Sequence, residues 1–286
     1  MAMKRRFYSY KVFLRKKIFL IGSISVIREM FFGKKDELSK GDRKVVEWVQ
    51  EIVDKFKFVF LEKDRWMFIT DGLKVTLMVT FLALLLGLII GMVVAVIRTS
   101  YNQLKRELRG VKKVLFSILD GLCGIYLTII RGTPVLVQLL LMYFVILVYE
   151  DSKLVVAVAT FGINSGAYVA EIFRSGIMSI DKGQMEAGRS LGLSYVTTMT
   201  KVILPQAIKN VLPALVNEII TLLKETSICG YIGLNELTRG GDIIRGATFE
   251  ALFPLLMVAL IYLVIVMIFT ALMGKIERRL RESDLR

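Results

Sequence analysis

The sequence predicts an all-α, polytopic membrane bundle, and three observations carry that expectation. Apolar residues make up 55% of the 286 residues, with a mean hydropathy of +0.61. That is more apolar surface than a water-facing body of this size can hide. Several runs also reach the ~20 apolar residues that a helix needs to cross a bilayer core. Finally, Lys and Arg give a net charge of +14 with no His, and the charges cluster beside the apolar runs. Basic residues so placed set orientation and meet anionic lipid, whereas nucleic-acid binding calls for a basic face on a soluble domain.

Residues 1–66 form a basic and amphipathic extension. Residues 1–17 carry Lys4, Arg5, Arg6, Lys11, Arg15, Lys16 and Lys17. The apolar run "IFLIGSISVI" at 18–27 is too short to span unaided, and no A-x-A cleavage site follows it. An interfacial helix and an extra uncleaved span both fit. Further on, Val45, Val46, Val49, Ile52, Val53 and Phe56 recur at helical spacing, predicting an amphipathic helix near the membrane surface.

A membrane domain is expected over 67–280, built on five spans. The first is 67–97. Arg98, Lys105, Arg106, Arg109, Lys112 and Lys113 follow it and place that loop in the cytoplasm. Residues 114–149 are too long for one straight span, and Arg131-Gly132-Thr133-Pro134 interrupts them. One span with a broken start is predicted, ended by the acidic outer turn Glu150-Asp151-Ser152. The third, fourth and fifth spans are expected at 153–177, 207–227 and 251–273, with an outer loop at 228–250. Residues 281–286 form a basic cytoplasmic tail. On this topology residues 1–17 lie outside unless 12–32 also crosses.

Between the third and fourth spans lies "MEAGRSLGLSYVTTMTKVILPQ", residues 185–206. Ser179 or Asp181 can cap a helix over about 182–191, with Glu186 near its positive end. Gly192 is placed to stop that helix, Ser194 can cap a second, and Pro205 marks the start of the next span. The result is a cytoplasmic knuckle, in which Ala187 and Gly188 leave room for another surface. A helix that only seals the bundle is the plainer alternative.

These residues carry a resemblance. Glu186-Ala187-Gly188, three residues, Gly192, nine residues and Val202-Ile203-Leu204-Pro205 resemble the EAA loop of ABC importer permeases, E-A-A-x3-G-x9-I-x-L-P. Gly188 stands for the second alanine and Val202 for isoleucine. The stretches "RGTPVLVQLLLMYF" (131–144), "GAYVAEIFRSGIMSIDKGQ" (166–184), "LPALVNEIITLLKETSI" (212–228) and "IGLNELTRGG" (232–241) are similar to the polar amino-acid branch of that family. The resemblance covers about 67–280 and says nothing of 1–66.

The resemblance implies the ABC importer permease fold and a multi-pass place in the cell membrane. It implies that two permease subunits, alike or different, form the pathway. Two ATPase subunits grip the EAA loop at 181–205, through Glu186, Ala187, Gly188, Gly192, Leu204 and Pro205. An extracytoplasmic binding protein delivers a polar amino acid. ATP belongs to the partner: nothing in the chain matches the phosphate-cradling GxxxxGK[ST] loop, so no cofactor is expected here. Methionine, a peptide or another small solute is the alternative cargo.

Intramembrane polar residues give the candidate substrate site, because ionisable groups at depth are costly. Asn217, Glu218, Thr221 and Lys224 lie in the fourth span. An amino-acid zwitterion needs a carboxylate for its ammonium, which Glu218 with Asn217 offers. Its carboxylate needs a cation or open backbone, which Lys224 or the break at Gly132-Thr133 offers. An internal Glu218–Lys224 pair is the structural alternative. Glu171 and Arg174, three apart, are expected to pair on one helix face in a structural or gating role. Asp71, Lys74 and Asp120 are expected near span ends in solvent. Gly87 and Gly91 are expected to admit a close helix contact. Cys123 and Cys229 read as small buried side chains, not a disulfide or metal site. An ion-driven secondary transporter would show an internal repeat, which is not found. An intramembrane enzyme would want a Ser–His pair, a metal site or paired Asp at depth, and no catalytic residue is assigned.

Overall fold

In a computed structural model the structure describes residues 40–105 and 109–284. The expectations for the basic cluster at 1–17 and the apolar run at 18–27 lie outside the described residues. The chain divides into two compact units, one ending at Glu62 and one beginning at Lys63. The first contains helix α1, Lys40–Phe56. Val45, Trp48 and Val49 are exposed on it, Ile52 and Val53 are half-buried, and Glu51 pairs with Lys55 one turn on.

The second unit opens with α2, Trp66–Leu104, which runs past the expected end at 97. It lies parallel to α5, Lys153–Met178, and this is the most extensive helix packing among the described residues. Glycines on both helices make it possible. A Cβ on Gly91 would stand 2.5 Å from Val169 Cγ1, and one on Gly162 would stand 2.5 Å from Leu86 Cδ2. Small residues let helices approach where lipid provides no hydrophobic drive. Gly87 meets Ser165 in the same seam. Val79, Ala83, Ala157, Phe161, Leu222 and Cys229 form one buried cluster. Cys123 joins a second with Val94, Leu127, Ala167 and Ala170. Both cysteines are free and buried.

The second span differs from its expected form. Helix α3 is Gly110–Gly132, and α4 is Val135–Leu141, continued by one wide π turn over Met142–Ile146. The break therefore follows a full 23-residue helix and is not near the start. Packing shows where it falls. Cys123 and Leu127 of α3 meet Val94 of α2, near the basic end. Val135 of α4 meets the cluster holding Val79 and Ala83, further toward the other end. The two helices thus run in series along the bundle with the break between those levels.

The loop after α5 contains α6, Lys182–Ser190, and the short α7, Tyr195–Thr198. A π turn over Met199–Ile203 joins α7 to α8, Leu204–Glu225, so 195–225 is one helical rod. Pro205 explains the wide turn: its missing N–H and its ring disrupt the α-helical bond one turn back. Helix α8 has 22 residues, about 33 Å at the helical rise. Among the described residues, four helices are long and apolar enough to cross a membrane by themselves, namely α2, α3, α5 and α10. α8 is long enough, but its polar residues lower its hydropathy.

The expected outer loop at 228–250 holds a further helix, α9, Leu237–Thr248. Its Gly240-Gly241 pair reads as a loop signal in the sequence. In the fold each glycine receives a neighbour: a Cβ on Gly240 would meet Phe68 O at 2.3 Å, and one on Gly241 Val258 Cγ2 at 2.6 Å. Buried Glu236 caps α9, accepting from Thr238 N and Arg239 N at 2.7 Å each. Helix α10, Leu252–Asp284, completes the unit and exposes a long apolar face.

Candidate functional site

Two features define the site: the knuckle at the basic end and a polar line through the bundle's middle. In the knuckle, Asp181 Oδ1 accepts from Gly183 N at 2.6 Å and caps α6. Gly192 sits at φ +80°, the left-handed turn that ends a helix. Leu193 N then donates to Gly188 O at 3.1 Å. Ser194 Oγ accepts from Thr197 N at 3.1 Å and starts α7. Gly188 is the contact point between the two: its Cβ would stand 2.5 Å from Thr198 Cγ2. The departure from alanine thus lets α6 lie directly on α7.

The two helices that flank the knuckle are tied to each other. A Cβ on Gly176 of α5 would meet Val211 Cγ2 of α8 at 2.3 Å. Asn210 Nδ2 donates to Ser179 Oγ at 2.9 Å, joining α8 to the end of α5. Glu186 and Ala187 are exposed, beside Leu191 and Val196 at 82% and 65% exposure. Leu204 is half-buried and Pro205 exposed at the root of α8. Behind α6 lies a cavity of about 640 Å³, reached by Asn102, Arg174, Glu186 and Tyr195. Burial pushes the Tyr195 phenol above its ordinary range.

The polar line begins at the break. In a continuous helix Ile130 O would accept from residue 134, which is proline and has no N–H. Gln138 supplies the donor instead: its Nε2 lies 2.8 Å from Ile130 O, 3.1 Å from Thr133 O and 2.8 Å from Thr133 Oγ1. Thr133 Oγ1 in turn donates to Ile129 O at 2.8 Å. Asn164 Nδ2 of α5 donates to Gln138 Oε1 at 2.9 Å. The next residue, Ser165, donates to Glu218 Oε1 of α8 at 2.7 Å.

Of the six candidate substrate residues, Thr133 and Glu218 take part in this line, and Gly132 precedes Thr133 at the break. Glu218 is held by Ser165, and no Glu218–Lys224 pair forms. Asn217, Thr221 and Lys224 lie on an exposed face of α8, turned away from Ser165. Glu171 and Arg174 do pair, by two hydrogen bonds, Arg174 Nε to Glu171 Oε2 being 3.0 Å. Glu171 also faces Arg131 at 3.7 Å, and Arg131 lies over the Tyr168 ring at 5.7 Å. Arg98, Arg131 and Glu171 reach a cavity of about 740 Å³ along α3.

Asp120 corrects an expectation. It is not a solvated end residue but pairs with Arg98 of α2 at 3.2 Å, with its side chain 20% exposed. The run 110–132 is helical from its start, which draws Asp120 into the bundle. Asp71 and Lys74 do pair at 2.7 Å on an exposed end. Sequence reasoning missed Gln138, Asn164, Ser165 and Arg131. The signal that could have found them is polarity inside apolar runs. Among the described residues no group of three or more Cys, Asp or Glu is placed to hold a metal ion.

A bundle of apolar helices, interrupted in mid-span and carrying an exposed knuckle between two of them, defines a transport permease of the membrane. Residues 108–282 match the family described as binding-protein-dependent transport system inner membrane component. The chain belongs to this family of multi-pass membrane proteins, and it is not itself an enzyme. It is 43% identical over 162 residues to the arginine transport system permease protein ArtQ of Bacillus subtilis, covering 56% of this chain and 74% of that one. It is 39% identical over 217 residues to a putative glutamine transport system permease protein GlnP of Rickettsia typhi, covering 75% and 93%. Among solved structures, it is similar to an amino acid ABC transporter crystallised with histidines. There the TM-score is 0.68 and the identity 39%, covering 77% of this chain and 98% of the other. The inward-facing MetNI methionine ABC transporter shares the fold at a TM-score of 0.64 and 20% identity, covering 77% of this chain and 99% of the other.

Proposed function

We propose that the chain is the permease subunit of an ATP-driven importer for a polar amino acid. Two copies, or this chain and a related one, pair to form the pathway. ATPase subunits seat on α6, and an extracytoplasmic binding protein supplies the cargo. The observation that carries this reading is α6 itself: a capped helix, exposed at Glu186 and Ala187, and seated through Gly188 on the rod that continues into α8. A helix gripped from below can then move two membrane helices together.

The exposed face of α8 supports the pairing. Asn217, Thr221 and Lys224 are polar and uncovered along α8, from the level where Glu218 meets Ser165 to the end of the helix. Such groups face a partner or a water-filled path, not lipid. Glu218, with Asn217, is assigned to the cargo's ammonium. Lys224 or the open backbone at Gly132-Thr133 is assigned to its carboxylate, and the Glu171–Arg174 pair to gating.

The test is reconstitution in vesicles with ATPase subunits and a binding protein, using labelled arginine and glutamine. ATP-dependent uptake of one or both is expected, and none without the ATPase. Uphill transport by the purified chain alone would overturn the reading.

A further inference from the structure

We infer that Asn164 and Gln138 form a positioning latch that carries movement of the coupling knuckle to the break between α3 and α4. The inference rests on the importer reading above and adds residues that reading does not use.

Pro134 leaves Ile130 O without its helical donor, and a bilayer has no water to replace it. Gln138 fills the place from eight residues on, and holds Thr133 O and Oγ1 with the same nitrogen. An amide can do this only if its oxygen points the other way. Asn164 fixes that orientation by donating to Gln138 Oε1 at 2.9 Å. Asn164 is 3% exposed, so water does not compete. The shape of the break is thereby set by a side chain on α5.

α5 is the helix that enters the knuckle. It continues unbroken from Asn164 to Met178, four residues before α6 begins. Ser165, next to Asn164, holds Glu218 of α8, the helix that leaves the knuckle. The two helices are clasped again at the basic end by Gly176 against Val211 and by Asn210 to Ser179. They therefore move as a pair, and Asn164-Ser165 is where that pair reaches the broken helix. Asn164 and Gln138 act through the break and not on cargo directly.

The experiment uses the full complex in vesicles, with ATP hydrolysis and amino-acid uptake measured together. The variants are Asn164→Leu, Gln138→Leu and the pair. Each single variant is expected to keep binding-protein-stimulated hydrolysis and to lose about threefold to tenfold in uptake per ATP, the size of effect seen along connecting networks. The double variant is expected to be no worse than Gln138→Leu, because the Asn164–Gln138 contact is already absent from that variant. The reciprocal swap, Gln138→Asn with Asn164→Gln, keeps the total reach and is expected to recover part of the ratio.

Gln138→Glu keeps the volume and removes the donor. It gives the same loss where a leucine variant fails to reach the membrane. An unchanged ratio, losses that multiply in the double variant, or hydrolysis falling in step with uptake would each overturn the latch while leaving the importer reading intact. A wild-type complex that hydrolyses ATP but takes up neither amino acid would overturn the reading and the latch with it.

Discussion

The chain interrupts its helices in two ways, and the contrast is instructive. At the knuckle, α6 ends on Gly192, and the next helix starts on Ser194. Every device there is local: Asp181 caps two residues on, Ser194 caps three on, and Gly192 supplies the left-handed turn. Any backbone group left over can turn to water. At the break between α3 and α4 the freed carbonyls of Ile129 and Ile130 have no such recourse. They are taken by Thr133 and by Gln138, and Gln138 is oriented from another helix. An interruption in water needs only its neighbours in sequence. One inside the bundle needs the tertiary structure. The first is therefore suited to being gripped from outside, and the second to responding to movement within.

The largest expected effect follows from the exposed side of the knuckle. Glu186→Lys leaves every hydrogen bond of the loop in place, because Glu186 is solvent-facing. It reverses a charge where a partner is proposed to dock. ATP-driven uptake is expected to fall to background at equal membrane levels, with the thermal midpoint of the purified chain unchanged. Normal uptake would break the assignment of α6 to coupling. Next comes the helix contact beneath it. In Gly188→Val the new Cβ overlaps Thr198, a fully buried side chain. Overpacking of this kind costs about 1–3 kcal/mol, so a lowered midpoint should accompany lost uptake. Gly192→Ala is expected to cost about 1 kcal/mol, since its φ of +80° suits glycine alone. Its signature is faster proteolysis of the 182–194 segment.

The same contrast explains what the sequence discloses. Caps, the glycine stop and the E-A-G-x3-G spacing act over a few residues, so the knuckle is legible from its own residues. Asp181, Gly192 and Ser194 stand where the spacing puts them. The break at Gly132-Thr133-Pro134 is legible as a break, because proline announces itself. Its position and repair are not. Gln138 satisfies a carbonyl eight residues back only because the chain folds over, and Asn164 comes from another helix. Helix α9 is hidden for a related reason: Gly240-Gly241 reads as a loop until Phe68 and Val258 are seen to need the space. Asp120 reads as an end residue because charge near a span boundary is usually solvated, and only the approach of Arg98 shows otherwise.

The smallest expected effects sharpen the comparison most, since each region offers the loss of a single hydroxyl that serves the backbone. Ser194→Ala removes the acceptor for Thr197 N, and water can replace it. Such cap losses run about 0.5–2 kcal/mol, with exposed sites at the low end. Thr133→Val removes the donor to Ile129 O at nearly constant volume. Hydrogen bonds between helices in membranes average only about 0.6 kcal/mol, because the unfolded chain in lipid also finds partners, and this bond lies within the end of a single helix. If the bilayer raises the cost of an unserved carbonyl, Thr133→Val should lower the midpoint at least as far as Ser194→Ala and also reduce uptake. Hydrogen exchange should then rise at 129–133 in the one variant and at 194–198 in the other. A Thr133→Val chain as stable and as active as the wild type would mean that Gln138 alone can serve both carbonyls. The break would then depend on its long-range partner more heavily than its own residues suggest.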